Sequence, residues 1–341
     1  MFSIEKKLTN IDTIVKFLNQ NIIVTNKETN SLEAYSLNET SLLWTSNKKD
    51  YSCTCVNNII ATTNLHFYNL LGICIHETSY REWFELEFSD EIDKILYKTV
   101  DEEQEIAFYH VFDTVTMSFT NKYLKLKFPL FFVNNVFLVC QCSSTELSLF
   151  NFEVSGNIWQ KEFTELLKYQ YDGKEKTGEI KQVKLYKDSL IVVSDGGVIR
   201  LLLETGEIVW KNNAYARTME IVGEIGYVCA GLSLYKVNLE IGEIIRYGYN
   251  NNYNRLPDIE YQGSSYWPIG HEVIYHEGLL WYAVFSSGES FVVAINPYDG
   301  KYEWIHHVDT YEKIESIQFH DNKMFLLDTG YDLHIYKKQK E

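Results

Sequence analysis

The chain has 341 residues, 45% hydrophobic and 23% charged, the composition of a folded globular protein rather than a disordered one. Its 31 Lys and Arg against 47 Asp and Glu leave a formal charge of −16, which repels phosphate, so nucleic acid is not an expected partner. Aromatic residues make up 15%, with 25 Tyr and 19 Phe but only 4 Pro, a balance that favours strands and leaves no Pro-rich linker.

Residues 1–26 carry scattered charges and no continuous apolar core, and no run of membrane length follows. The reading is a cytoplasmic protein without a membrane partner, its six cysteines (53, 55, 74, 140, 142 and 229) held as reduced thiols.

In chain order, TIVKFL, NIIVTN, SLEAYSL and SLLW form a first strand-rich unit over Thr13–Trp44, with Asn, Lys, Glu and Thr between the pieces. Alternation in SLEAYSL puts Leu32, Ala34 and Ser36 on one face and Glu33, Tyr35 and Leu37 on the other. A second unit follows from Tyr51 to about Phe88: CTCVN, IIATTN and LHFYNLLGICI, with EWFELEF as its outer strand. The acidic stretch DEIDKILYK reads equally as a helical turn or an edge strand. IAFYHVF, VTMSF and YLKLKF make a third unit, and FFVNN, VFLVCQC, LSLFNFEV and NIW a fourth. The pattern then breaks at residues 160–179, where EFTELLKYQ reads as more helical than strand-like and YDGKEKTGE as a polar loop. Ile180–Trp210, Met219–Arg246 and Glu272–Trp304 repeat the four-strand pattern, and Glu315–Lys337 closes the chain with three strands. Between the second and third of these lies a long insertion over residues 247–270.

The repeat aligns without gaps in TGEIVW (Thr205–Trp210), IGEIIR (Ile241–Arg246) and DGKYEW (Asp299–Trp304). ETSLLW and SGNIW are imperfect copies, and VIRLLLE, LYKVNLE, FVVAINP and LEAYSLN precede the turns. Gly supplies the turn between the last two strands, and the closing Trp buries apolar area against the neighbouring unit. This pattern resembles the quinoprotein-like (PQQ-type, WD40-like) β-propeller repeat family, with its Asp/Asn–x–x–Gly–x–x–x–Trp signature. The resemblance implies an all-β fold, a single propeller of four-stranded blades over 1–341 with insertions at about 160–179 and 247–270. Units of about 40 residues count to eight blades, or seven if residues 51–128 hold one irregular blade. The three-strand final unit predicts closure by FSIEKK (Phe2–Lys7) from the other terminus.

No catalytic constellation stands out. Cys53 with Cys55 and Cys140 with Cys142 share strand faces, but zinc ligands normally come from turns, so core cysteines are expected. HEVIYH spaces its histidines by five rather than the four a helical zinc motif needs. His306 and His307 read as solvated or capping residues at a blade edge. GKEKTGE lacks the Lys-Ser/Thr pair of a phosphate loop. Quinoprotein dehydrogenases carry adjacent cysteines at the cofactor; this chain has no Cys-Cys dipeptide, so neither cofactor nor metal is expected.

The residues that do not serve the repeat concentrate in YGYNNNYNRLPDIEYQGSSYWPIG. Aromatics, Asn and Arg on a long loop are contact-surface residues. Tyr249, Asn251, Tyr253, Arg255, Tyr266 and Trp267 are the candidate partner-binding set. The expectation is a non-catalytic protein-binding propeller whose acidity steers a basic partner, a toxin-neutralising immunity protein being one concrete form. The alternatives are a lyase or hydrolase site in a central channel, and a carbohydrate or small-ligand binder using aromatic platforms.

Overall fold

The strand-forming runs pair into eight four-stranded sheets, the blades of an eight-bladed β-propeller. The computed structural model describes residues 2–339 apart from 19, 40, 49–52, 57, 78–84, 88–92, 102–105, 125–128, 135, 250–254 and 271. No helix occurs among the described residues. Close packing divides the chain into two units. One, Leu8–Ser143 with Leu147–Gln160, carries blades one to four; the other, Met1–Lys7, Ser144–Glu146 and Lys161–Glu341, carries blades five to eight.

Each blade is an antiparallel meander, built because short apolar runs alternate with residues that tolerate tight turns. Blade five shows the construction. Its strands are Ile180–Tyr186, Ser189–Ser194, Gly197–Leu202 and Ile208–Lys211. Val192 pairs with Ile199, and Leu190 with Leu201. Every residue of the second strand is buried. A middle strand covered on both faces needs a continuous apolar run rather than alternation, and SLIVVS, ESFVVAI and KMFLLD supply it. Ile191, Val193 and Val198 of blade five share one core with Val228, Tyr235, Val237 and Leu239 of blade six.

The turns before the fourth strands carry the repeat. The side chain of Asn238 accepts hydrogen bonds from the backbone N–H of Glu240 (2.9 Å) and Ile241, and Asn296 accepts one from Tyr298 (2.9 Å). Gly206, Gly242 and Gly300 follow in the left-handed region, with φ of 65°, 74° and 74°. Glycine is needed there for a second reason. A Cβ on Gly242 would lie 2.7 Å from the ring of Trp210, the closing residue of the preceding blade, and one on Gly72 would lie 2.6 Å from Trp44. Trp210 also donates its indole N–H to the Leu239 carbonyl at 2.9 Å. In blade six Arg246 stands where the closing Trp is expected, and Tyr247 takes over the packing, 2.7 Å from where a Gly300 Cβ would be.

The last sheet runs in the order Phe2–Leu8, Leu333–Lys338, Lys323–Asp328, Ile314–His320, so the N-terminal strand completes it as expected. Phe2 seals the joint against Trp281, Trp304 and Phe319, with ring centroids 5.7–6.2 Å apart. Within this blade Asp328 and His334 are fully buried and hydrogen-bonded at 2.9 Å. Burial pushes the Asp328 carboxyl up, but donors from His334, the Asp332 backbone and Thr310 outweigh it and hold the group below its ordinary range.

Three readings of the sequence require correction. The outer strand of the second blade is Cys74–Glu77, not residues 82–88; Asn69 and Gly72 make a turn inside what reads as one continuous strand. Glu85–Glu87 instead begins the third blade, where Lys94–Asp101 is the second strand and Ser118–Leu124 the fourth. The segment expected to be helical near 160–171 ends in a strand: Lys168–Tyr171 pairs with Lys174–Thr177 through a two-residue turn at Asp172 and Gly173, both with positive φ.

Candidate partner-binding surface

A four-stranded antiparallel blade starts and ends at the same end. Connections between blades therefore emerge beside the turns between second and third strands. The insertion over residues 247–270, which links blades six and seven, follows this rule. The Leu256 N–H reaches the Leu232 carbonyl (2.9 Å), and the Gly270 N–H reaches that of Gly231 (3.2 Å), both in the second-to-third turn of blade six. Leu256 and Ile259 are buried in the core of blade seven. Ile259–Tyr261 and Ser264–Tyr266 form a hairpin closed by Gln262 and Gly263, both at positive φ.

Most of the insertion's aromatics turn inward. Tyr247 and Tyr249 pack on the same core and donate their hydroxyls to the carbonyls of Pro297 (3.1 Å) and Gly300 (2.7 Å); burial raises both phenols' pKa. Tyr266 lies 5.0 Å from Phe291, ring to ring, and Tyr261 stacks on His307 at 4.7 Å. His307 in turn bonds Glu289 at 2.6 Å, and His306 stacks on Trp304 at 5.1 Å with its pKa lowered by burial. Both are half-buried strand residues of Tyr302–Val308, so the solvated or capping role expected for them is replaced by packing.

Trp267 is different. It is 55% exposed, and the Arg255 guanidinium lies over its ring at 5.7 Å. Arg255 is fixed by an ion pair to Asp258 at 2.7 Å and by an isolated bridge to Ser233. On either side of the docked hairpin, Trp267 and the ion-paired Arg255 thus set one large aromatic beside one oriented cation. Of the six candidate residues, Tyr249 and Tyr266 anchor the insertion, Arg255 and Trp267 lie together at its surface, and Asn251 and Tyr253 fall outside the described residues.

Each cysteine pair shares a strand face but differs in depth: Cys55 and Cys140 are buried, Cys53 and Cys142 half-buried, and all are free thiols. No group of His, Cys, Asp and Glu that could hold a metal occurs among the described residues. Two tyrosines escaped sequence reasoning. Tyr311, in the connection between blades seven and eight, is 86% exposed, and Tyr298, in the last turn of blade seven, is 87% exposed. Single aromatics in polar turns leave no periodic signal. Tyr215 and Arg217, which line a cleft with the 168–177 hairpin, escaped for the same reason.

No protein-family model and no curated protein matches the chain. Its fold is similar to solved propellers. BamB from Moraxella catarrhalis is 11% identical with a TM-score of 0.63, covering 100% of this chain and 99% of that one. The C-terminal WD40 domain of Sif2 is 9% identical with a TM-score of 0.67, at 100% and 99% coverage. The β-propeller domain of Cps50 (Swd1) from Myceliophteria thermophila is 10% identical with a TM-score of 0.55, at 99% and 100%. Likeness at such identity shows the fold alone.

Proposed function

We propose that this chain is a non-catalytic, protein-binding β-propeller whose partner engages the insertion between blades six and seven. The observation that carries the reading is the Trp267–Arg255 pair. Trp and Arg are the residue types that dominate binding energy at protein interfaces, and a fixed backbone lowers the entropy lost on association. Tyr249 and Tyr266 act as anchors of that surface; Asn251 and Tyr253 belong to the same insertion and are its proposed polar and aromatic contacts. The propeller supplies rigid blades, and function sits on the loops between them. The quinoprotein-like repeat serves that scaffold and brings no cofactor with it.

The formal charge of −16 supports a basic partner, because long-range attraction raises the encounter rate at low salt. A toxin neutralised by occlusion is the concrete form we favour, in the cytoplasm, with neither nucleic acid nor membrane bound.

The test is capture of partners from the native host on immobilised wild-type and Trp267→Ala protein, at low and high salt. A stoichiometric basic protein is expected. Its affinity should fall about 30-fold or more in the Trp267→Ala variant, as for a central interface Trp, and should weaken as salt rises. Absence of a stoichiometric partner refutes the reading, as does one held equally by the variant.

A further inference from the structure

A cleft of about 620 Å³ opens beside the 168–177 hairpin. Three separate segments wall it: Tyr171 and Lys176 from the hairpin, Lys181 and Asp195 from blade five, and Tyr215 and Arg217 from the connection into blade six. Its volume lies in the range of small-molecule sites.

The charges in the cleft are unevenly satisfied. Lys181 is neutralised by Glu179 at 2.7 Å and Asp195 at 3.2 Å. Lys176 lies over the Tyr171 ring, 4.3 Å from its centroid. Arg217 lies 5.9 Å over the Tyr215 ring and donates to its hydroxyl at 2.8 Å. Neither Lys176 nor Arg217 has a carboxylate within ion-pair distance among the described residues, although acids outnumber bases 47 to 31 in the chain. A ring beneath a cation holds it in place without cancelling its charge. The cleft therefore holds two exposed cations with no carboxylate in ion-pair distance among the described residues, a net excess of one positive charge once Glu179 and Asp195 are set against Lys181, aromatic walls, and a carboxylate in Asp195 that accepts from hydroxyl groups.

We propose that this cleft binds a ring-bearing small anion: one phosphate or carboxylate for Lys176 and Arg217, and a planar or sugar ring against Tyr171 and Tyr215. The site is distinct from the Trp267 surface and independent of the protein-binding reading. A nucleotide and a sugar acid both fit that chemistry.

The experiment is calorimetric titration of the full chain at low salt with adenosine 5′-monophosphate and with galacturonate. Adenosine and galactose are their uncharged counterparts. At least one anion should bind with Kd below ~1 mM, and its uncharged counterpart at least about tenfold more weakly. Lys176→Gln and Arg217→Gln should each weaken binding about tenfold, the scale of a charge-assisted hydrogen bond, while Lys301→Gln, on an exposed turn of blade seven, leaves it unchanged. Tyr171→Phe should retain binding and Tyr171→Leu lose it. The anion that binds identifies the ligand source. Failure of both anions to bind, equal binding of the neutral counterparts, or binding unaltered in both cation variants overturns the proposal. Circular dichroism of each variant separates lost binding from lost fold.

Discussion

Gly242→Ala tests whether the repeat is a structural device between blades. The new methyl would lie 2.7 Å from Trp210 Cδ2 and 2.8 Å from Cε3, where carbon contacts are comfortable only from about 3.5 Å. The ring must therefore move by about 0.8 Å, which weakens its 2.9 Å bond to the Leu239 carbonyl at a cost of about 1 kcal/mol. Holding an alanine at φ 74° adds about 1–2 kcal/mol. The expected loss is about 2–3 kcal/mol. In a Trp210→Leu background the clash and the indole bond are both gone, so the same Gly242→Ala change should cost only the backbone share, about 1–2 kcal/mol. The assay is denaturant unfolding of all four proteins, followed by far-UV circular dichroism. A coupling of about 1 kcal/mol is expected. Losses that add to within about 0.5 kcal/mol would refute the proposed contact. Gly72 and Trp44 repeat the geometry at 2.6 Å and should behave alike.

Two further outcomes follow from the same packing. Removing residues 2–8 uncovers the Leu333–Lys338 strand and strips Phe2 from Trp281, Trp304 and Phe319; Phe2→Ala alone should cost about 2–3 kcal/mol, and an unchanged melting temperature on deletion would contradict strand closure. Glu240 links blades six and five: Lys187, Arg200 and Tyr186 donate to its carboxylate and pull its pKa down to about 2, against about 4.3 in the unfolded chain. A depressed carboxyl contributes stability that is fully present above the unfolded value and lost as pH falls toward the folded one. The melting-temperature gap between wild type and Glu240→Gln should therefore narrow from about pH 4.3 to pH 2, and a gap that stays constant would sink this account.

Much of the scaffold is legible from local pattern. A β-blade is encoded by short apolar runs and by turns such as Asn238–Gly242, whose side-chain and φ requirements are local. Where the pattern misleads, a local signal is overruled by pairing. EFTELLKYQ is rich in helix formers, yet Lys168–Tyr171 becomes a strand because Lys174–Thr177 lies two residues away to pair with it. LHFYNLLGICI reads as one strand because its turn is apolar; only Gly72 under the Trp44 ring marks the break. The insertion announces itself by length and composition, but which of its aromatics serve a partner does not. Tyr247, Tyr249, Tyr261 and Tyr266 are chemically indistinguishable from a binding set until the blade-seven core takes them.

The sequence by itself pointed to a β-propeller of four-stranded blades, eight or seven in number, completed by its own N-terminal strand; strand pairing decided on eight. The repeat period, the turn glycines and the missing last strand are properties of consecutive residues. The tertiary structure decided what remains for function. Burial turned four tyrosines into anchors and left Trp267 under Arg255 at the surface. Packing of three successive segments between Tyr169 and Thr218 set Lys176 and Arg217 in one cleft, each over a tyrosine ring. Exposure and convergence depend on what lies opposite a side chain in space, and no local pattern records that.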